Sequence, residues 1–414
     1  ASGAAGASGA TAGKGGASGA GTSGTPAAGS GGSAGGGGAG GKSGSGSNTA
    51  CANTKILQLP ADPIARGPWP VGEKTVKLGR FSAVEIMYPA QPGSQKDKPV
   101  LKQDLREFLP QRERARVPDD QAAIVSADTY RDLPLDAEHG PYPVVILVHG
   151  TASFRVASFS TQALWASRGF IVMAADHPGL YLADYLARNG CNLDVPREDL
   201  NDDVDAELAA LTNPSGELAF LAGHVDSTRV ALAGHSAGAV GVAQLSGKPG
   251  VQMVLALAGN AAVRSAPALK SVLFVGGEAD AVLSYNPPAT GIGRLQFPGT
   301  QTEAYTASPG EPVTKRIVGI RGGGHLVVTD LCQKNARNQS DLQVAQANGV
   351  CGTALLNGLG IADCGTVERT AGTEIVNYVT TSALEETLLC QDRDQAWSQL
   401  KGRYSLVDDF REGN

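Results

Sequence analysis

Six short apolar runs constrain the chain more than any other feature: PVVILVHG (143–150), FIVMAAD (170–176), RVALAG (229–234), VQMVLALAG (251–259), SVLFVGG (271–277) and KRIVGI (315–320). Most are too short for a stable helix, and most are apolar at consecutive positions, which leaves no solvent face. Strands buried on both sides are what a parallel sheet covered by helices requires. The stretches STQALWASRG, DDVDAELAAL, AGAVGVAQL and TEIVNYVTTSALEETLLC fall between or after the runs with helical periodicity, and Gly169 offers a helix stop. The expected class is α/β, a mostly parallel central sheet with helices on both faces. KTVKLG and SAVEIMYP flank Gly79-Arg80 and read as an antiparallel hairpin, and LKQDLREFL as a short helix. Residues 177–200 read as loop-rich, with no large amphipathic insertion, which predicts an open site. No G-x-G-x-x-G follows the first buried strand, so a dinucleotide site is not indicated.

Residues 1–50 contain almost only Gly, Ala, Ser and Thr. They cannot bury enough surface to offset ordering, so a flexible tether is expected, followed by one catalytic domain over residues 51–414. A net charge of −6, with no basic cluster interleaved with aromatics, argues against a nucleic-acid partner. No run approaches the roughly 20 apolar residues of a membrane span. The six cysteines, Cys51, Cys191, Cys332, Cys351, Cys364 and Cys390, lack zinc-type spacing and predict disulfides in an exported protein. Their clustering suggests Cys332 with Cys351, or Cys364 with Cys390. The tether suits surface attachment after removal of an export signal, through a lipid on a Cys preceding Ala1. A monomer is expected.

The pattern G-x-S-x-G occurs twice, and context separates the two copies. Ser33 lies in the low-complexity segment and is a false match. Ser236, in RVALAGHSAGAVG, leaves a buried strand and enters a helix, where a tight turn demands small residues at Gly234, Ala237 and Gly238. Such a turn lifts a hydroxyl above the carboxyl ends of the strands and sets the Ala237 N–H at a helix N-terminus, suited to an oxyanion. A serine nucleophile needs a base. Of the histidines at 139, 149, 177, 224, 235 and 325, only His325, in IRGGGHLVV, follows Ser236, as chain order on this architecture requires. The acids between them are Glu278, Asp280, Glu303 and Glu311. Asp280, just past a buried strand, is favoured to orient the imidazole, with Glu278 the alternative. Thr151, after His149-Gly150, is the second oxyanion donor beside Ala237. His149 is expected to prop that loop and His177 to be structural. Phe154, Trp165 and His235 are the candidate pocket residues.

VILVHGTASF, VDSTRVALAGHSAG, VGGEAD and RGGGHLVVTDLC together resemble the oxyanion, nucleophile, acid and histidine loops of the α/β-hydrolase superfamily. GPWPVGEKTV, GPYPVVILVHGTASFR and SRGFIVMAADHPG most resemble the platelet-activating-factor acetylhydrolase-like and dienelactone-hydrolase-like group, with its bacterial lipases and cutinase-like polyester hydrolases. The resemblance covers residues 60–390. It implies Ser236, Asp280 and His325 as nucleophile, acid and base, Thr151 and Ala237 as backbone donors, and no metal or organic cofactor. The implied activity is hydrolysis of short- to medium-chain carboxylic esters or lipids. Polyester hydrolysis of the poly(ethylene terephthalate) type is an alternative. Thr151 stands where polyester hydrolases place an aromatic residue, and a Ser replaces the Cys of dienelactone hydrolases proper. A catalytically silent binding module and a peptidase are the readings from other classes; the complete set of candidates argues against the first, and the absence of a propeller-sized insertion against the second.

Overall fold

The computed structural model describes residues 51, 54–191, 194–335 and 337–413; the expected tether at 1–50, with Ser33, lies outside them. The strands in chain order are β1 Val71–Val76, β2 Val84–Pro89, β3 Gln103–Asp104, β4 Ile124–Val125, β5 Thr129–Arg131, β6 Tyr142–Val148, β7 Ile171–Ala175, β8 Val225–His235, β9 Val251–Leu257, β10 Ser271–Gly277, β11 Thr314–Ile320 and β12 Val407–Gly413. The helices are α1 Phe159–Ser167, α2 Leu182–Gly190, α3 Leu200–Thr212, α4 Ala237–Gln244, α5 Gln301–Ala307, α6 Asp341–Ala347, α7 Thr353–Gly358, α8 Arg369–Leu388 and α9 Asp394–Arg403.

Ten strands form one sheet in the order β12-β11-β10-β9-β8-β6-β7-β2-β1-β5. From β7 across to β11 every neighbour is parallel. β12 and the β1–β2 hairpin add antiparallel margins. The fold is therefore mixed α/β with a mostly parallel sheet, and the six apolar runs are its central block of six parallel strands. Every residue of β6 and β10 is buried. Because alternate side chains face opposite sides, both faces must be covered, which is why these runs show no polar alternation. β12 and β5 carry too little apolar signal to be read from sequence.

Three disulfides link Cys51 to Cys390, Cys191 to Cys351 and Cys332 to Cys364. The pairings expected from clustering, Cys332–Cys351 and Cys364–Cys390, are not formed. A disulfide needs Cα atoms roughly 4.4–6.8 Å apart, a tertiary distance that chain spacing does not set. Among the described residues no helix is long and apolar enough to cross a membrane.

Candidate active site

The turn between β8 and α4 holds Ser236 at φ 54°, ψ −121°, a conformation that costs a non-glycine residue on the order of 1–3 kcal/mol. Close packing sustains it. A Cβ on Gly238 would lie 2.2 Å from the Val148 carbonyl oxygen, and one on Gly234 would lie 2.5 Å from the Gly238 backbone. Glycine at both positions lets the helix start press against the ends of β6 and β8, with Ser236 projecting at the strand ends.

His325 and Asp280 arrive on the loops after β11 and β10, three and two strands away from β8. His325 Nε2 lies 2.8 Å from Ser236 Oγ, and its Nδ1 lies 2.8 Å from Asp280 Oδ2. The carboxylate favours a proton on Nδ1, which leaves the Nε2 lone pair facing the hydroxyl. Asp280 is itself held: Oδ1 accepts from the Val282 and Leu283 amides, both at 2.8 Å, and Oδ2 also accepts from Gln301 Nε2 at 3.1 Å. Glu278, the alternative acid, does not meet the histidine. A Cβ on Gly319 would lie 2.6 Å from its Oε1, so it faces the β11 side, where burial raises its carboxyl above the ordinary value.

The Ala237 and Thr151 amides have no acceptor among the described residues, whereas the adjacent Ala152 amide is taken by the Leu180 carbonyl at 2.8 Å. Gly150 brings this loop against Ser236, since a Cβ there would lie 2.9 Å from Ser236 Cβ. His149 props the loop as expected: Nδ1 donates to the Gly150 carbonyl at 2.8 Å, and Nε2 accepts from the His177 amide at 3.1 Å. Burial, with His177 nearby, pushes the His149 pKa down to about 3, so it remains neutral in that role. His177 is a buried loop residue paired with Asp203. His235 lines the pocket, and its Nε2 is 3.2 Å from the His325 carbonyl. Burial and His325 lower its pKa to about 3, which keeps it an uncharged brace on the His325 backbone.

Above Ser236 is a cavity of about 350 Å³ with a mainly apolar lining. Phe154 lines it, stacked on Phe108 at 4.2 Å between ring centroids. Trp165 does not. It is a fully buried residue of α1 turned toward α8, with Nε1 donating to Thr380 Oγ1 at 3.2 Å, so its bulk serves the core. Residues 105–123, α2, and α6–α7 form a roof with its own apolar cluster around Leu109, Val117, Leu186, Val344 and Leu356. Cys191–Cys351 ties the end of α2 to the α6–α7 turn, and Glu113 accepts from the Cys351 amide at 3.1 Å. The 177–200 stretch read as loop because only about half of α2 is apolar, and part of its packing comes from distant segments such as the α6–α7 region.

Gln301 and Asp363 escaped sequence reasoning. Nothing in the local pattern separates either from a surface polar residue, and both act on the site through backbone and carboxylate contacts. Among the described residues, no cluster of His, Cys, Asp or Glu is placed to hold a metal ion. No family model matches this chain, and a search of curated proteins finds no match.

Proposed function

We propose that the chain is a serine carboxylic-ester hydrolase of the α/β-hydrolase superfamily, acting on esters with a short- to medium-length apolar acyl group. The observation that carries this reading is the continuous contact Ser236 Oγ–His325 Nε2–Asp280 at 2.8 Å per step, opening into an apolar cavity. Ser236 attacks the acyl carbonyl while His325 takes its proton, and Asp280 stabilises the imidazolium. The oxyanion that develops is met by the Thr151 and Ala237 amides, the latter at the start of α4. His325 returns the proton to the leaving alkoxide. Water, activated by the same imidazole, then attacks the acyl-enzyme and restores the serine.

The roof favours an apolar acyl chain in the cavity over an extended polymer laid across an open groove. A complete nucleophile–base–acid contact favours an enzyme over a silent binding module. Three disulfides are compatible with an exported protein, and export is part of this proposal. The test is p-nitrophenyl ester hydrolysis against acyl length, with fluorophosphonate labelling, for wild type and Ser236→Ala. Labelling at Ser236 and a kcat loss on the order of 10⁴–10⁶ in the variant are expected. A folded Ser236→Ala protein that retained esterase activity would refute the mechanism.

A further inference from the structure

Asp363 lies just past the roof, five residues after α7, and its carboxylate reaches both loops of the acid–base pair. Oδ2 accepts from the His325 amide at 3.1 Å and from the Ala281 amide at 3.0 Å, the residue after Asp280. Its backbone carbonyl accepts from the Leu326 amide at 2.7 Å, and Oδ1 accepts from the Gly365 amide at 3.0 Å. One side chain therefore bridges the backbone of His325 itself and that of the residue after Asp280. The glycines of RGGGH make room for it: a Cβ on Gly324 would lie 2.4 Å from Asp363 Oδ1. Gly323 and Gly365 form a bridge beside it, and the Thr366 amide donates to the Gly322 carbonyl at 2.8 Å. The next residue, Cys364, is bonded to Cys332, seven positions past His325, so a covalent clasp closes the strap around the histidine loop. Ile361 and Ala362, just before Asp363, line the cavity.

We propose that Asp363, delivered by the Cys332–Cys364 clasp, is a positioning residue that fixes His325 and Asp280 relative to Ser236. The inference rests on the hydrolase reading. An alanine at 363 leaves the two loop amides without a shared acceptor, so the imidazole loses its fixed distance to the hydroxyl. Displacement of a reacting group by about 1 Å costs on the order of 10²-fold in rate, so a kcat loss of about 10- to 100-fold is expected for Asp363→Ala. KM should change by less than about threefold, because the cavity wall is kept. Asp363→Asn retains one oxygen able to accept from both amides and should recover part of the rate. Cys332→Ser/Cys364→Ser should lose rate in the same direction.

The experiment measures kcat per phosphonate-titrated site, KM and Tm for wild type and these three variants, together with the downfield proton NMR signal of the His325 Nδ1–H. Reduced kcat per titrated site at similar KM, partial rescue by Asn, and loss or broadening of that signal in Asp363→Ala support the proposal. Unchanged kcat per titrated site with only a lower Tm overturns it, since that is what a merely structural residue gives. Should wild type neither hydrolyse ester nor take up phosphonate, the hydrolase reading fails. The NMR signal then decides separately whether Asp363 holds the pair.

Discussion

Replacing Asp280 by Asn tests the hydrogen-bond logic of the site at nearly constant volume. The carboxylate has four partners: the Val282 and Leu283 amides on Oδ1, and His325 Nδ1 with Gln301 Nε2 on Oδ2. An introduced amide can keep its oxygen on the two backbone donors, but its NH₂ then faces His325 and Gln301. Gln301 cannot resolve the conflict by flipping. Its own NH₂ donates to the Leu283 carbonyl at 2.9 Å, and a flip would set oxygen against oxygen there. The introduced NH₂ therefore donates to Nδ1 and drives the imidazole proton to Nε2. Nε2 then faces Ser236 as a donor and can no longer take its proton. A tautomer reversal of this kind costs about four orders of magnitude in kcat, equivalent to about 5 kcal/mol of transition-state stabilisation. KM should hold, since no cavity residue changes. The assay is steady-state hydrolysis of a medium-chain p-nitrophenyl ester, with Tm as the control for folding. A kcat within tenfold of wild type, in a variant that melts normally, would mean that Asp280 does not set the tautomer.

Leu186, fully buried in the roof's apolar cluster, should lose about 2–5 kcal/mol of stability when cut to alanine. The same cut enlarges the cavity, so the preferred acyl length should move to longer chains; denaturant melts and a chain-length series read both effects, and an unchanged length preference would remove the roof from the specificity argument. Glu73 is fully buried, with Oε1 accepting from Gln103 at 2.8 Å and Oε2 unpartnered; burial first, then Glu85, push its carboxyl up to about 8. A folded-state value above the unfolded one means stability present at low pH that is lost as pH rises toward 8. Glu73→Gln should therefore raise Tm at pH 8 and change it little near pH 5, and a pH-independent Tm difference would contradict the assignment.

The sheet was legible because burial on two faces writes itself into consecutive residues, and all six parallel strands appear as apolar runs. The Ser236–His325 contact was legible for a related reason: strand-to-helix turns tolerate few side chains, and only one histidine follows Ser236 in the chain. Thr151, Ala237, Phe154 and His235 were found where the strand ends point. Trp165 was misread because an aromatic near the oxyanion loop in sequence can face the opposite way in a helix. Its neighbour Thr380 is 215 residues distant.

Local sequence determined which segments become strands and helices and which side chains stand at the carboxyl ends of the strands, because those depend on periodicity and on steric limits within a few residues. Sequence favoured Asp280 over Glu278, two positions earlier in the same loop, and the tertiary structure set Asp280 on His325 Nδ1 while turning Glu278 against Gly319. Tertiary structure alone paired the six cysteines, assembled a roof from three separate stretches, and brought Asp363 beneath His325. Each of these depends on distances between segments far apart in the chain, which are set by how the whole core packs and leave no periodic trace in any one segment.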